Sequence, residues 1–326
     1  MVITNDKTLL EVTGLTTSFF TGEGTVHAVN DVAFTVGRGE IFGLVGESGS
    51  GKTVTAHSIM RLVHQPGRIT GGRIVFEGRD LLGLNEKQME EVRGSRIGMV
   101  FQEPMTALNP VLRIGEQISE TLEIHRASGG NGIRQRVMEL LNKVGFDDPE
   151  KRLIQYPHQL SGGQRQRVLM AMAIACGPSL VIADEPTTAL DVATQSQILG
   201  LLEGLVDTLD MSMIFITHDL NIVRSLGHSI GLMYAGRMLE LSRVENFFKQ
   251  PLHPYGRGLL GSIGGFSGSA RRLTAIPGSV PRLSELPTGC TFHPRCPYIM
   301  DMCRVKEPVM KEVEKDQWVR CYLYQN

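Results

Sequence analysis

Eight residues near the N-terminus have the types and spacing of a phosphate-binding loop. The run Gly46 to Thr53 reads GESGSGKT and fits the pattern G-x-x-x-x-G-K-[ST]. Its glycines let the backbone curl tightly and direct N–H groups inward, and these donors attract an anion. Lys52 adds a positive charge for the β- and γ-phosphates, and the Thr53 hydroxyl is a candidate Mg²⁺ ligand. The loop therefore predicts a nucleotide site.

The flanking residues supply the context that this loop requires. The apolar run Ile41 to Val45 predicts a short buried strand before it. Residues Val54 to Val63 predict a helix after it, whose N-terminus adds to the anion site. A strand, loop and helix in this order distinguish the motif from a chance glycine-rich turn.

Two acidic residues and one histidine follow other predicted core strands. Leu180 to Ala183 is wholly apolar and runs into Asp184 and Glu185. A carboxylate at such a strand end suits a Mg²⁺ ion held through water, and the next one suits a general base, although an acidic pair can also be mere solvation. His218 ends the apolar strand that begins at Ser212; a lone histidine is usually structural, but this position favours catalysis.

Three weaker signals complete the set of candidate residues. Gln102 follows the strand from Ile97 to Phe101 and is placed to reach a metal ion or a water. The stretch Ser161 to Gln164 places two glycines at a helix start, which makes either a second phosphate cradle or an ordinary capped loop. Phe19 ends the first strand, where it stacks on adenine or packs in the core.

Composition limits the class of protein. The 326 residues suffice for one large domain with an appendix, or for two domains, and the chain has 33 basic and 34 acidic residues. A nucleic-acid-binding protein usually has a basic excess, which is missing. No apolar run reaches the roughly 18–20 residues that span a bilayer, and the first ten residues lack the plan of a signal peptide. We expect a cytosolic protein that docks on a membrane partner.

Four cysteines lie close together near the C-terminus: Cys290, Cys296, Cys303 and Cys321. The gaps between them are five, six and seventeen residues, so no C-x-x-C knuckle of a zinc ribbon occurs. In a reducing compartment such a group favours a metal site over disulfides. Zinc, an iron–sulfur cluster and free thiols all fit this spacing.

Taken together, these motifs resemble the ATP-binding-cassette (ABC) ATPases. The loop at Gly46, Gln102, the pentapeptide Leu160 to Gln164, the pair Asp184–Glu185, the tripeptide Ala189 to Asp191 and His218 occur in the order and at the spacings of that family. The resemblance covers about residues 9–250. It implies an α/β P-loop NTPase fold, with a RecA-like core, an antiparallel β subdomain and a helical subdomain at about residues 104–175. It sets the ATPase domain at residues 1–250 and a small Cys-rich extension at 251–326.

The resemblance also implies a role for each matching residue. The nucleotide-binding set is Phe19, Gly46, Glu47, Ser48, Gly49, Ser50, Gly51, Lys52, Thr53, Thr55, Ser161, Gly162, Gly163, Gln164 and Asp191. The Mg²⁺ set is Thr53, Gln102 and Asp184, and the catalytic set is Gln102, Glu185 as general base and His218 as the switch at the γ-phosphate. In the family, the signature residues contact ATP held by a partner subunit, which implies a head-to-tail dimer.

The C-terminal third is similar to the ATPases of oligopeptide and dipeptide importers. The residues are His253-Pro254-Tyr255, Ile276-Pro277-Gly278 and the run Gly289 to Pro297. This similarity implies ATP and Mg²⁺, a [4Fe-4S] cluster on the four cysteines with zinc as the alternative, and a peripheral place on the cytoplasmic face of the cell membrane. The implied partners are a related second ATPase, two permeases and an extracytoplasmic solute-binding protein.

Other functions stay open at this point. Relatives move nickel, glutathione or oligosaccharides, and ATPase subunits do not touch the solute. Soluble ABC ATPases acting on DNA or ribosomes carry long coiled coils or two cassettes, and this chain shows neither. A non-hydrolysing subunit would lack Lys52, Asp184 or Glu185, and all three are present.

Overall fold

The structure, a computed structural model, describes residues 8–125, 132–188, 190–263 and 275–325. The strands are β1 (Thr8–Thr21), β2 (Gly24–Gly37), β3 (Ile41–Val45), β4 (Gly67–Phe76), β5 (Arg79–Asp80), β6 (Ile97–Val100), β7 (Leu180–Asp184), β8 (Ser212–Thr217), β9 (Ser229–Tyr234), β10 (Arg237–Arg243), β11 (Lys311–Glu314) and β12 (Gln317–Val319). The helices are α1 (Lys52–Ile59), α2 (Glu86–Val92), α3 (Pro104–Ala107), α4 (Ile114–Ile124), α5 (Ile133–Lys143), α6 (Pro149–Leu153), α7 (Gly162–Ala173), α8 (Val192–Leu209), α9 (Leu220–Leu226), α10 (Val244–Lys249), α11 (Pro254–Ser262) and α12 (Asp301–Val305). Within these ranges, none of the helices has the length and apolar character that crossing a bilayer requires.

The chain forms two compact units. The first unit contains Met1–Val36, Phe42–Leu82 and Ile216–Asn326, and the second contains Gly37–Ile41 and Gly83–Phe215. The phosphate-binding loop and the four C-terminal cysteines therefore belong to the first unit, and the acidic pair and the signature belong to the second. The predicted boundaries at residues 104, 175 and 250 stay predictions.

An antiparallel sheet in the first unit has the strand order β2-β1-β4-β5. Buried and more exposed residues alternate along much of β1, as in a strand with one face on the core. Strand β4 has ten residues. Its first half is rich in glycine and polar residues, and it is held as a strand by pairing with β1, down to Phe19 opposite Gly67.

The first unit also contains the strand series β11-β12-β10-β9-β3. Strand β3 runs parallel to β9, and β10 is antiparallel to both β9 and β12. The tail thus adds a hairpin to the sheet, which the sequence analysis missed because β11 and β12 are only four and three residues long. The core of this unit brings together Tyr234, Tyr255, Phe247 and Phe292.

In the second unit the strand order is β8-β7-β6, and β6 and β7 are parallel. All five residues of β7 are buried, which explains its apolar sequence. Helix α4 buries Ile114, Ile118 and Leu122 on one face, at the spacing of successive helical turns. These strands and helices place the acidic pair and the signature.

The limits of helix α1 differ from the prediction, and some short helices were not predicted. Helix α1 begins at Lys52 rather than Val54 and ends at Ile59, just before Arg61 adopts a φ of 51°. Helix α7 begins at Gly162, because Ser161 caps it. The sequence analysis did not find α2, α9 and α11, which have nine residues or fewer.

Candidate nucleotide-binding site

The phosphate-binding loop joins the buried strand β3 to helix α1, as predicted. Gly51 caps the helix with a φ of 100°, a conformation that L side chains rarely adopt. A Cβ atom there would lie 2.4 Å from the carbonyl oxygen of Ala28. The turn Ala235–Gly236 supports the loop from outside, because the Gly236 N–H donates to the Ser50 carbonyl at 3.0 Å. The loop conformation therefore requires glycine and is braced by a second turn.

Lys52 spans the loop and is 5% exposed. Its Nζ donates to the carbonyl oxygens of Gly46 at 2.8 Å and Glu47 at 3.0 Å, and to the Ser50 Oγ at 3.4 Å. The ammonium group is thus held at the centre of the ring of backbone groups. Thr53 is partly exposed, whereas Thr55 is fully buried and its hydroxyl donates to the Gly51 carbonyl at 2.9 Å. The predicted contact of Thr55 with nucleotide stays a prediction.

Glu47, the second loop residue, contacts two residues of the C-terminal third. Its N–H donates to the Tyr255 hydroxyl at 3.0 Å. Its carboxylate forms a two-pronged ion pair with Arg295, with Nη1–Oε1 at 2.8 Å and Nη2–Oε2 at 3.3 Å. The sequence analysis missed both partners because they lie more than 200 residues away.

The first unit also contains two further candidate site residues, Phe19 and His218. The ring of Phe19 is half-buried and packs over Gly67, where a Cβ atom would lie 2.6 Å from it. The neighbouring Phe20 is 38% exposed and carries the Arg68 guanidinium at 4.1 Å from its ring centre. His218 is exposed directly after β8. Phe20 is therefore a second aromatic candidate beside Phe19.

The second unit brings Gln102 and the acidic pair together. Asp184 ends β7 and is 2% exposed. The Oε2 atom of Glu185 accepts hydrogen bonds from the Thr188 hydroxyl at 2.9 Å and from the Gln102 amide at 3.4 Å. Gln102 is near because β6 and β7 are parallel neighbours, and their carboxyl ends meet at one edge. The structure thus brings Gln102 and Glu185 together and adds Thr188, while their predicted roles stay predictions.

The signature stretch begins helix α7 in the second unit. The Ser161 Oγ accepts from the Gln164 N–H at 3.3 Å, and the Gln164 side chain accepts from the Ser161 N–H at 3.0 Å. A Cβ atom on Gly163 would lie 2.4 Å from the Thr194 methyl group, so α7 and α8 start close together. Asp191 caps α8 through Thr194, and the hydrogen bond from the Thr194 hydroxyl lowers the pKa of this carboxyl. Ala189 of the predicted tripeptide lies outside the described residues.

The four C-terminal cysteines all line one small cavity, together with His253 and Phe292. Burial raises the pKa of Cys290 to about 12 and that of Cys321 to about 11. Among the described residues, no three His, Cys, Asp or Glu side chains stand close enough to share one metal ion. The structure therefore shows a thiol-lined cavity and does not show a metal-ion geometry.

His253 has an unusual place at this cavity. Its Nδ1 accepts a hydrogen bond from the Tyr255 N–H at 3.0 Å, so its proton lies on Nε2. This Nε2 is buried and has no hydrogen-bond partner among the described residues. Burial lowers the pKa of His253 to about 3, and the ring is neutral at physiological pH.

Relatives match this chain over almost its whole length. It is 47% identical to the oligopeptide transport ATP-binding protein AppD of Bacillus subtilis, over 98% of both chains. It is 44% identical to the dipeptide transport ATP-binding protein DppD of Escherichia coli, over 96% of both chains. Residues 29–188 match the ABC transporter family, and residues 239–303 match the C-terminal region of oligopeptide/dipeptide transporters. The chain belongs to the oligopeptide/dipeptide transporter family of ABC ATP-binding proteins.

Solved structures support the ABC cassette fold. A dimeric ATP-binding cassette in a post-hydrolysis state, bound to ADP and Pi, is 29% identical with a TM-score of 0.65, covering 72% of this chain and 99% of that chain. A component of an ABC transporter complex of Clostridium perfringens is 26% identical with the same TM-score, covering 75% and 92%. The ABC family region includes the loop, the signature and the acidic pair, and the transporter C-terminal region includes Cys290, Cys296 and Cys303.

Proposed function

We propose that the protein is the ATP-hydrolysing subunit of an ABC transporter that imports peptides across the cell membrane. The observation that carries this proposal is the full-length match to relatives that are named for oligopeptide and dipeptide transport. The C-terminal region supports the same class, because residues 239–303 match the oligopeptide/dipeptide transporters. Import of nickel, glutathione or an oligosaccharide is the alternative.

The loop binds the nucleotide, and the acidic pair contributes the general base for hydrolysis. Lys52 and the loop amides bind the phosphates of ATP, and Phe19 contacts the adenine. Glu185 accepts a proton from the water whose oxygen attacks the γ-phosphorus, while the bond from that phosphorus to the β–γ bridging oxygen breaks. The Thr188 hydroxyl donates to Oε2 of Glu185 and orients the carboxylate. His218 contacts the γ-phosphate.

The chain also contains suitable oxygen ligands for Mg²⁺. Thr53 follows Lys52 on α1, while Gln102 and the buried Asp184 lie at neighbouring strand ends. Hydroxyl, amide and carboxylate oxygens are the hard ligands that this ion prefers. A bound Mg²⁺ ion would offset charge on the β- and γ-phosphates during the transfer.

The signature and the membrane partners complete the assembly that we propose. Ser161, Gly162, Gly163 and Gln164 contact ATP bound by a related second ATPase in a head-to-tail heterodimer, and Asp191 couples the two sites. This pair lies on the cytoplasmic face of the membrane against two permeases, and an extracytoplasmic binding protein delivers the peptide. The dimeric cassette among the structural neighbours supports the pairing of subunits.

We further propose that Cys290, Cys296, Cys303 and Cys321 hold a [4Fe-4S] cluster. The fit rests on two observations: the four thiols line one cavity, and the unpartnered Nε2–H of His253 offers that cavity a hydrogen-bond donor. The cluster would link the segments that carry the cysteines.

Reconstitution tests the transport function. The protein, its partner ATPase, the permeases and the binding protein are assembled in proteoliposomes, and uptake of labelled peptide is measured with and without ATP. We expect ATP-dependent uptake and peptide-stimulated ATP hydrolysis. Stimulation of ATP hydrolysis by nickel, glutathione or an oligosaccharide instead of peptide would show that peptides are not the substrate. Failure to hydrolyse ATP would contradict the enzyme assignment.

Metal analysis tests the cluster. Protein purified without oxygen should contain iron and sulfide and absorb visible light. Cys303→Ser should lose both, whereas Cys176→Ser is the matched control, because this half-buried thiol lies outside the cavity. One zinc per chain without iron would show that the cluster proposal is wrong.

A further inference from the structure

We propose that the cysteine-containing segment positions the phosphate-binding loop, with Arg295 as a positioning residue for ATP binding that acts through Glu47. The inference rests on the proposed role of the loop in ATP binding, but it does not depend on which metal the cysteines hold. It assigns a nucleotide-site role to a part of the chain that lies 248 residues from the loop.

Every polar group of Glu47 is engaged. Its N–H donates to the Tyr255 hydroxyl, its carbonyl oxygen accepts from Lys52 Nζ at 3.0 Å, and its carboxylate pairs with Arg295. Glu47 is therefore a direct link between the lysine that binds phosphate and the C-terminal third of the chain. A change in the position of Arg295 acts on the residue that helps to hold Lys52.

Arg295 is built into its place rather than lying on the surface. It is 7% exposed, and its Nε donates to the Pro277 carbonyl at 2.9 Å while Nη1 also reaches the Tyr234 hydroxyl at 3.4 Å. A guanidinium presents several donors in one fixed plane, so these contacts set the direction of its pair with Glu47. The geometry specifies one position for the Glu47 carboxylate.

The surrounding segment fixes Arg295 in turn. Arg295 ends a short 3₁₀ turn, with Phe292 before the turn and Cys296 after it. The Phe292 ring packs edge-on against Tyr234 and contacts Tyr255, each at 5.3 Å between ring centres. The Cys290 N–H donates to the Cys303 carbonyl at 2.8 Å. Folding of this segment therefore delivers the guanidinium to the loop.

The pair matters for ATP binding because of charge. Glu47 is an acidic residue within a loop that must accept an anion, and an unpaired carboxylate there would repel the phosphates. Arg295 neutralises this charge and holds the carboxylate in a fixed position. Loss of Arg295 should therefore weaken ATP binding in a way that removal of the Glu47 charge reverses.

An ion pair that only stabilises the fold would give a different result, and Arg320 provides the matched control. Arg320 is also 7% exposed and pairs with Asp31 at 2.9 Å in the same unit. Within the part of the chain that the structure describes, its other donors bind the Met238 and Asp31 carbonyls and Glu307 rather than the loop. Arg320→Gln removes a comparable buried cation without touching Glu47.

The experiment measures equilibrium binding of Mg-ATP to the full-length protein and its thermal unfolding, for wild type, Arg295→Gln, Glu47→Gln, the double variant and Arg320→Gln. We expect Arg295→Gln to weaken binding about tenfold, an effect within the range of directly coupled residues. The double variant should bind ATP as Glu47→Gln does. Arg320→Gln should unfold at a lower temperature and bind ATP as wild type does. In the assembled transporter, Arg295→Gln should raise KM for ATP more than it lowers kcat, and Arg295→Lys should restore part of the loss.

Each outcome decides between the alternatives. Wild-type ATP affinity in Arg295→Gln, additive effects in the double variant, or an equal loss in Arg320→Gln would each overturn the positioning role. If Arg295→Gln does not fold, Arg295→Lys and Glu47→Gln still report the coupling through their single and combined affinities. A wild-type protein that fails to bind Mg-ATP would instead contradict the proposed function.

Discussion

Glu185 has a backbone conformation that points to function independently of its side chain. Its φ is 44°, in the left-handed region that residues other than glycine rarely adopt. Such strain persists only where neighbouring structure enforces it, and it concentrates at active sites. Here the left-handed residue directly follows β7, and its carboxylate is held by Thr188 and Gln102.

Glu185→Gln should abolish multiple-turnover ATP hydrolysis while Mg-ATP binding persists. The amide has nearly the same shape but cannot accept the proton, and general-base assistance contributes roughly 10²–10⁴-fold. The measurement is phosphate release by the assembled complex, with the partner's own site disabled. Thr188→Val serves as a milder variant that removes only the orienting hydroxyl. Wild-type turnover in Glu185→Gln would contradict the assignment.

His253→Asn should alter the proposed [4Fe-4S] cluster without removing it. Asparagine is a good helix N-cap, so its side chain can still accept from the Tyr255 N–H, but it lacks the Nε2–H donor at the cavity. Hydrogen bonds to cluster sulfurs influence the reduction potential, and their loss should shift it to more negative values. The measurement is a redox titration of the visible absorption. An unchanged potential with full iron content would show that His253 does not contact the cluster.

At the residue level, the sequence predicted the site residues that belong to motifs with a local spacing. Residue order within a short motif indicates its chemistry. Such motifs contain the loop Gly46 to Thr53, Glu185 and the cap Ser161. Arg295 and Tyr255 could not be predicted as partners of Glu47, because only the fold brings such distant residues together and neither has a local pattern. Phe20 was missed because two adjacent aromatics give no sign of which one faces outward.

At the level of secondary structure, the predicted strands were placed correctly where all their residues are buried. Strand β8 has the predicted limits, and β7 was placed by its unbroken apolar run. The tail hairpin was missed because β12 owes its existence to pairing with β10 rather than to its own three residues. Short helices such as α11 start at a cap, here His253, that is not among the strongest capping residues.

Strand β10 contributes a buried carboxyl that joins it to the start of α11. Glu240 is 1% exposed and accepts from the N–H groups of Leu252 at 3.0 Å and His253 at 2.7 Å. Burial raises the pKa of Glu240 to about 7. The folded state therefore binds this proton more tightly than the unfolded state, so the stabilisation is complete below the unfolded pKa of 4.5 and is lost as pH rises through about 7.

Glu240→Gln should remove this pH dependence. The difference in free energy of unfolding between wild type and variant should change by about 3 kcal/mol between about pH 4.5 and pH 8, in favour of the variant at high pH. Urea unfolding at several pH values measures it. Glu312→Gln, an exposed carboxyl on β11, is the control and should show no such trend. A pH-independent difference for Glu240→Gln would contradict the raised pKa.

At the scale of the whole molecule, each of the two units contains part of the proposed ATP-binding and catalytic residues. The first has a phosphate-binding loop with its lysine, and the second has a capped helix start at Ser161 whose stretch contains no lysine. The lack of a lysine in this second phosphate-binding stretch is explained if the stretch contacts ATP bound by another subunit, as proposed. The sequence alone raised this question, and the family resemblance rather than any residue pattern suggested the dimer.

Ser161→Asp should therefore prevent ATP-dependent pairing of subunits while ATP binding to the single chain persists. Aspartate caps a helix as well as serine does, so α7 should remain folded, but its charge would repel the phosphates of ATP in the partner. The measurement is sedimentation of the Glu185→Gln protein with ATP, alone and mixed with the second ATPase, with and without Ser161→Asp. Ser196→Asp, an exposed position on α8, is the control and should still pair. A dimer that forms normally with Ser161→Asp would show that the signature does not face the partner's nucleotide, whereas pairing only in the mixture would establish the heterodimer.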